Sequence, residues 1–244
     1  FIKLNYQLDA VDQGLRLLEK HNGFLLSDVV GLGKTIIAIL IAKKYFYSNG
    51  FTNHLSRTLI VVPPSLEEVW SETIEKFALM NTEIITNGSL HKVLKKANKY
   101  DLVIVDEAHK FRNSNTEVYD NLIKICKEHA GRQNEDDDSY YQKKIILMSA
   151  TPLNNKPDDI KNLVFLFQDG KNSTLDIPNL TSFFNVKKLK WEEAKRLPLQ
   201  TAKPLIEEIY LLGFLLNTHP FINHLIMYFF NHFITRLNAT ILME

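Results

Sequence analysis

The chain has little cysteine, little net charge and no hydrophobic run long enough to cross a membrane. Its single cysteine, Cys126, excludes an intrachain disulfide framework and fits a reducing environment. The net charge of +1 means that any nucleic-acid surface must be a local patch. The most apolar C-terminal run, residues 220–234, is too short for a membrane span and includes Asn223 and His224. We therefore expect a soluble, intracellular protein.

The 244 residues, 45% of them hydrophobic, suffice for one large domain or for one domain with an appendage. The chain begins at Phe1 rather than methionine, so we expect it to be part of a longer protein.

Helical patterns alternate with short apolar runs that lack polar alternation, which is typical of strands buried on both faces. We predict an α/β fold in which helices cover both faces of a parallel sheet. The predicted strands include residues 24–26, 58–62, 102–105 and 145–148.

A polar signature follows three of the predicted strands directly. The signatures are residues 33–35, 106–109 and 149–151. In parallel α/β sheets, functional groups collect at the carboxyl ends of the strands. We therefore expect these three segments to form one site.

The first signature has the composition of a phosphate-binding loop. It ends in Gly33-Lys34-Thr35 between an apolar strand and a helix, where backbone N–H groups and the helix dipole favour an anion. We predict that Lys34 reaches the β- and γ-phosphates and that the Thr35 hydroxyl binds Mg²⁺. Asp28 stands where the general pattern has glycine, so the loop alone is also compatible with a turn before a buried helix.

The second signature carries two adjacent carboxylates. Asp106 has the placement of the residue that holds Mg²⁺ in nucleotide-hydrolysing P-loop proteins, and Glu107 is placed to orient or deprotonate a water. An isolated acidic pair at a strand end is more often a solvated turn. The combination with Lys34 and Thr35 favours a catalytic site.

The motifs together resemble a known family. Residues 106–109 (Asp-Glu-Ala-His) resemble the DEAH-box signature of superfamily-two helicases and translocases, and Ser149-Ala150-Thr151 resembles their third motif. The detail is closest to the Swi/Snf-like branch of double-stranded-DNA translocases, which also carries aspartate at the position of Asp28. Val29-Val30 replaces that branch's Glu-Met, which marks a divergent member. Further matches lie at residues 64–70 (motif Ia), 110–116 (extended second motif) and 151–155 (resembling Thr-Pro-Leu-Gln-Asn).

This resemblance covers residues 4–184 and implies a RecA-like P-loop NTPase lobe that hydrolyses ATP with Mg²⁺ and moves on double-stranded DNA. Tyr6-Gln7 is similar to the upstream glutamine motif that reads adenine. The implied site residues are Gln7, Asp28, Gly31, Gly33, Lys34 and Thr35 for the nucleotide; Thr35 and Asp106 for the metal; Glu107, with Lys34 and Asp106, for catalysis; His109, Ser149 and Thr151 for coupling to nucleic acid; and Pro64, Ser65 and Thr86 for DNA.

We predict that residues 1–184 form the ATP-binding lobe. Residues 185–244 are then a helical extension, with helices at 191–196, 205–216 and 221–236, which resembles a truncated bridge to a second lobe. Motors of this class need that second lobe, because it supplies arginine fingers to the ATP site. We therefore expect weak or no ATPase activity from this chain alone.

Two other functions stay open: a degenerate, non-catalytic nucleotide-binding or interaction domain, and the motor part of a restriction system. Intact Lys34, Thr35, Asp106 and Glu107 favour a working ATPase. A predicted basic helix near residues 89–99 either extends the DNA track or is solvated surface. Its lysines are Lys92, Lys95, Lys96 and Lys99.

Overall fold

The computed structural model describes residues 5–27, 33–49, 56–130, 140–150, 157–194 and 196–197. These residues contain a five-stranded sheet in the order β1-β5-β4-β2-β3, and all four strand pairings are parallel. The predicted α/β fold is confirmed. The strands are β1 (Gly23–Ser27), β2 (Thr58–Val62), β3 (Thr82–Thr86), β4 (Leu102–Val105) and β5 (Lys144–Ser149).

Six α-helices surround the sheet in the described part of the chain, and none of them is long and apolar enough to cross a membrane. Short 3-10 segments connect several elements, at Pro64–Leu66, Asn87–Lys92, Leu94–Lys99 and Ala108–Phe111. The helices are α1 (Asn5–His21), α2 (Lys34–Asn49), α3 (Glu67–Lys76), α4 (Glu117–Lys127), α5 (Pro157–Val164) and α6 (Leu180–Ala194).

The central strands β2, β4 and β5 are buried on both faces, which explains their continuous apolar runs. In β2, Leu59 and Val61 join one core cluster, whereas Ile60 and Val62 join the other. The first cluster includes residues of α4, and the second includes residues of α1, α2 and α3. Because successive strand residues point to opposite faces, a strand covered on both sides needs an apolar residue at every position.

The turn between α1 and β1 aligns the first strand with the sheet. Asn22 has a positive φ of 59°, and its backbone N–H donates to the carbonyl of Leu18 at 3.0 Å, which closes the helix. Its side-chain oxygen accepts a 2.6 Å hydrogen bond from Lys144 Nζ. This contact ties the start of β1 to the start of β5.

The basic segment after β3 is not the predicted α-helix. It forms two 3-10 segments, Asn87–Lys92 and Leu94–Lys99, and Lys96 lies outside helical geometry at φ −119°. Lys96 Nζ lies 2.6 and 2.9 Å from the two carboxylate oxygens of Glu83. The irregular backbone at Lys96 therefore accompanies an ion pair that fastens the segment to β3.

The sixth helix crosses the predicted domain boundary at residue 184. Within α6, Leu180 and Phe184 pack against Ile160 and Val164 of α5. The predicted helix at 191–196 corresponds to the end of α6, which begins at Leu180 and ends at Ala194. The other two predicted helices, at 205–216 and 221–236, lie outside the described residues.

Candidate nucleotide-binding site

The strands that precede the polar signatures end next to one another at one edge of the sheet. Ser27, at the end of β1, is the register partner of Ser149, at the end of β5. On the other side of β5, Val105 of β4 pairs with Leu147, and Asp106 follows directly. Because all five strands are parallel, their carboxyl ends form a single edge. Ser149, the first residue of the third signature, therefore lies at the end of the strand between β1 and β4.

The described part of the phosphate loop begins with Gly33, whose φ of +87° favours glycine. A Cβ added to Gly33 would lie only 2.8 Å from Nε2 of Gln7, a side chain that is 5% exposed. The structure thus places the Gln7 side chain against Gly33, whereas its role at the adenine stays a prediction. Lys34 and Thr35 are half-buried in the first turn of α2, at the end of the helix that favours anions. Asp28 and Gly31 lie outside the described residues.

The Asp106 carboxylate is held from two directions. Its Oδ2 accepts a 2.8 Å hydrogen bond from the indole Nε1–H of Trp70. Its Oδ1 accepts a 2.8 Å hydrogen bond from the backbone N–H of Glu107. The backbone N–H of Asp106 donates to the carbonyl of Val61 at 2.8 Å, which continues the pairing of β4 with β2. Both the backbone and the side chain of Asp106 therefore have a defined orientation.

Glu107 has a left-handed backbone conformation, with φ 50° and ψ 45°. For a residue other than glycine this conformation costs about 1–2 kcal/mol. The turn is closed by a 3.0 Å hydrogen bond from the N–H of Lys110 to the carbonyl of Glu107. Backbone strain of this kind clusters at functional sites, and here it falls on the candidate catalytic carboxylate.

His109 lies beside that carboxylate. Its Nδ1 is 2.9 Å from Oε2 of Glu107, but Nδ1 makes no aligned hydrogen bond, so their interaction is mainly electrostatic. Burial lowers the pKa of His109, the Glu107 carboxylate opposes this shift, and the cations of Arg112 and Lys110 reinforce it.

A chain of hydrogen bonds connects the acidic signature to two helices. Arg112 Nε donates to the carbonyl of His109 at 2.8 Å, and Asn162 Nδ2 donates to the carbonyl of Arg112 at 2.5 Å. The Tyr119 hydroxyl donates to the carbonyl of Asn162 at 2.9 Å. The sequence motifs predict no role for Asn162 or Tyr119, and they assign Trp70 to motif Ia without a role. No local pattern signals these contacts, because their partners are distant along the chain.

The three residues predicted to contact DNA lie near one another at this edge of the sheet. Pro64 and Ser65 are exposed in the 3-10 turn after β2. Thr86 ends the neighbouring strand β3, pairs in register with Val62, and donates to Ser89 Oγ at 3.1 Å. In the third signature, Ser149 is buried, whereas Thr151 lies outside the described residues.

The oxygen ligands of this edge suit magnesium. Thr35 offers a hydroxyl and Asp106 a carboxylate, and Mg²⁺ in nucleotide sites is bound by one or two such groups together with phosphates. Within the described ranges, no group of three or more histidine, cysteine, aspartate or glutamate side chains could hold a metal. The donor set therefore fits an ion shared with a nucleotide, rather than an ion held by the protein alone.

A parallel sheet with a phosphate loop and an acidic strand end at one edge defines the class as a RecA-like nucleotide-binding lobe. Residues 6–89 match the SNF2-related domain family, and residues 64–160 match the DEAD/DEAH box helicase family. Together the two matches cover residues 6–160, in agreement with the resemblance to helicases that the sequence motifs predict.

Two curated relatives illustrate the range of the match. The uncharacterized ATP-dependent helicase YqhH of Bacillus subtilis is 33% identical over 189 residues, which are 70% of this chain and 30% of the relative. A CHD3-type chromatin-remodeling factor of Arabidopsis thaliana is 22% identical over 204 residues, which are 70% of this chain and 15% of that protein. The chain thus spans less than a third of the length of either relative.

Solved structures show the same fold. The SWI2/SNF2 ATPase core domain of Sulfolobus solfataricus matches with a TM-score of 0.58 and 22% identity, over 85% of this chain and 42% of that one. The same core in complex with dsDNA matches with a TM-score of 0.56 and 20% identity, over 75% and 38% of the two chains.

Proposed function

We propose that this chain is the ATP-binding lobe of an ATP-dependent double-stranded-DNA translocase. The proposal is supported by two observations: Gln7 lies against Gly33 at the start of α2, and the strand order places the end of β1 beside β5 and Asp106 at the end of the next strand, β4. The left-handed backbone at Glu107 adds support, because strained residues of this kind cluster at functional sites.

The nucleotide phosphates would lie at the N-terminus of α2. The backbone N–H groups of the loop and the Lys34 ammonium would face their negative charge, with Gln7 on the adenine side. Thr35 and Asp106 would hold Mg²⁺, which when bound bridges the β- and γ-phosphate oxygens and offsets their charge.

Glu107 would orient the attacking water and accept its proton. Its carboxylate is half-buried, and its Oε2 lies 2.9 Å from Nδ1 of His109. His109 would limit the positions that this carboxylate can adopt and would link it to the chain of hydrogen bonds through Arg112.

DNA would lie along the turns that follow β2 and β3, where Pro64, Ser65 and Thr86 are close to the sheet edge. Contacts there would reach the sugar-phosphate backbone and give affinity without sequence preference. The exposed side chains of Lys92, Lys95 and Lys99 would extend this surface, because each neutralised phosphate releases counterions.

The full-length protein would add a second RecA-like lobe that closes over the nucleotide and supplies an arginine to the transition state. In this proposal residues 1–184 form the first lobe, and residues 185–244 form a helical bridge toward the second. This chain alone would bind ATP weakly and turn it over negligibly. Addition of the second lobe would produce ATPase activity that double-stranded DNA stimulates.

Replacement of Lys34 by alanine tests the site. We expect the parent chain to bind a fluorescent ATP analogue in the presence of Mg²⁺, and Lys34→Ala to bind at least about tenfold more weakly, because an ion-paired phosphate contact is lost. Lys44→Ala is the matched control, since Lys44 lies in the same helix with its ammonium 2.6 Å from Asp12. Equal affinity of parent and Lys34→Ala would refute the site assignment.

A further inference from the structure

We propose that Trp70 is a positioning residue for the candidate magnesium ligand Asp106. This role rests on the proposed nucleotide site. The indole Nε1–H donates to Asp106 Oδ2 at 2.8 Å, and the two residues are 1% and 8% exposed. Trp70 belongs to α3, whereas Asp106 follows β4, so the contact joins elements that are separate in the chain.

Trp70 can position Asp106 because its indole is the donor of this hydrogen bond. An indole nitrogen can only donate, so it pairs with a carboxylate oxygen without competing for a metal ion. The other oxygen, Oδ1, receives the backbone N–H of Glu107, which fixes the remaining rotation of the carboxylate. Each oxygen keeps further acceptor capacity that can face an ion or its bound water. Loss of the indole donor frees one side of the carboxylate and lowers its preorganisation.

Side chains that orient a metal ligand in this way affect metal affinity strongly. Loss of such a partner typically weakens metal binding about 10–100-fold. Since Mg²⁺ shares its coordination with phosphates, we expect the lower end of this range here. The effect should appear in the Mg²⁺ requirement and leave the binding of metal-free nucleotide unchanged.

Trp70→Phe removes the donor and keeps an aromatic ring in the core. The measurement is the binding of a fluorescent ATP analogue as a function of free Mg²⁺, with parallel titrations in excess chelator. We expect the Mg²⁺ midpoint to rise about tenfold, while nucleotide affinity in chelator stays within about twofold of the parent. Trp191→Phe is the matched control, because it replaces the other tryptophan of the chain, in α6, and should leave the midpoint unchanged.

A second variant distinguishes the effect of losing the N–H donor from the effect of the smaller phenyl ring. In the Trp191→Phe background, Trp70 is the sole tryptophan, so growth on β-(3-benzothienyl)alanine replaces only that indole with a ring of similar shape that lacks the N–H. Circular dichroism reports whether each variant folds. If Trp70→Phe is unfolded, the benzothienyl variant decides, and it should show the same rise in the Mg²⁺ midpoint.

Nucleotide binding by the parent protein distinguishes failure of the proposed function from failure of the proposed role of Trp70. If the parent binds no nucleotide, the proposed function is wrong and the role of Trp70 fails with it. If the parent binds nucleotide in a Mg²⁺-dependent way and a folded Trp70 variant has the parent midpoint, only the positioning role is overturned. A folded variant that loses affinity equally with and without Mg²⁺ would also overturn it, because that pattern indicates general damage to the site.

Discussion

Ser27 and Ser149 are register partners at the last positions of two adjacent parallel strands, β1 and β5. Their pairing places the end of the strand that precedes the phosphate loop beside Ser149, the first residue of the Ser-Ala-Thr signature. β4 pairs with the opposite side of β5, which brings Asp106 to the same edge. The candidate site is therefore assembled by the strand order, from segments that are distant in the sequence.

Gly33→Ala should damage both the fold and the site. The residue has φ +87°, and its new Cβ would lie 2.8 Å from Gln7 Nε2. We expect a loss of about 1–3 kcal/mol in the free energy of unfolding, as for other residues forced into a rare backbone conformation. Urea denaturation and nucleotide titration measure the two effects. Gly88→Ala is the control, because no atom lies within 4 Å of its added Cβ, and a similar loss there would contradict the explanation.

Replacement of Glu107 by glycine should relieve strain, whereas alanine should keep it. Because the residue has φ 50°, we expect Glu107→Gly to be about 1 kcal/mol more stable than Glu107→Ala in urea denaturation. Both variants should abolish ATP hydrolysis by the full-length protein, since both lack the carboxylate.

The same pair of substitutions at Glu117 provides the comparison for Glu107. Glu117 is exposed in the first turn of α4, so glycine should there be less stable than alanine. The glycine variant should thus be the more stable of the two at Glu107 and the less stable of the two at Glu117. The same order at both would mean that the left-handed backbone of Glu107 is not strained.

Acid should destabilise the protein through His21. This residue is 8% exposed, its Nδ1 lies 3.1 Å from the Thr174 hydroxyl, and burial lowers its pKa, with an additional effect of Lys20. The unfolded chain binds this proton near pH 6.5 but the folded chain only at lower pH. The free energy of unfolding should therefore fall as the pH drops below about 6.5.

Denaturation between pH 7.5 and 5 checks this dependence. His21→Gln should reduce the pH slope by up to about one proton. Some slope should persist, since burial also lowers the pKa of His109. His91→Gln is the control, because His91 is exposed. An unchanged slope in His21→Gln would exclude His21 as the source.

Tyr119→Phe should destabilise the hydrogen-bonded connection between α4 and α5. The hydroxyl donates to the carbonyl of Asn162 at 2.9 Å, and loss of one such bond costs about 1 kcal/mol in urea denaturation. Burial raises the pKa of Tyr119 to about 12, so the parent should lose additional stability as the pH rises from about 10 to 12, and the variant should lack this component. Tyr47→Phe, at a 54% exposed site, should be nearly neutral.

Much of the fold could be predicted from local sequence. Strands β2 and β4 are entirely buried, and their unbroken apolar runs indicate this without any tertiary information. The apolar run before Asp106 likewise predicted that this residue directly follows a strand, whereas the contact of Gln7 with Gly33 was not predicted. The basic segment was wrongly predicted as an α-helix: it forms two 3-10 segments, and its contact with β3 through Lys96 and Glu83 is not recorded in the local pattern.

The sequence by itself determined the class of fold, the family and the chemical groups at the strand ends, since apolar runs and motif residues are local properties. Only the tertiary structure decided which strand ends adjoin and how their side chains are held. The Trp70–Asp106 hydrogen bond and the connection through Asn162 both join residues on separate elements. Such contacts depend on how elements cross the sheet and pack, and no pattern within a single segment records that information.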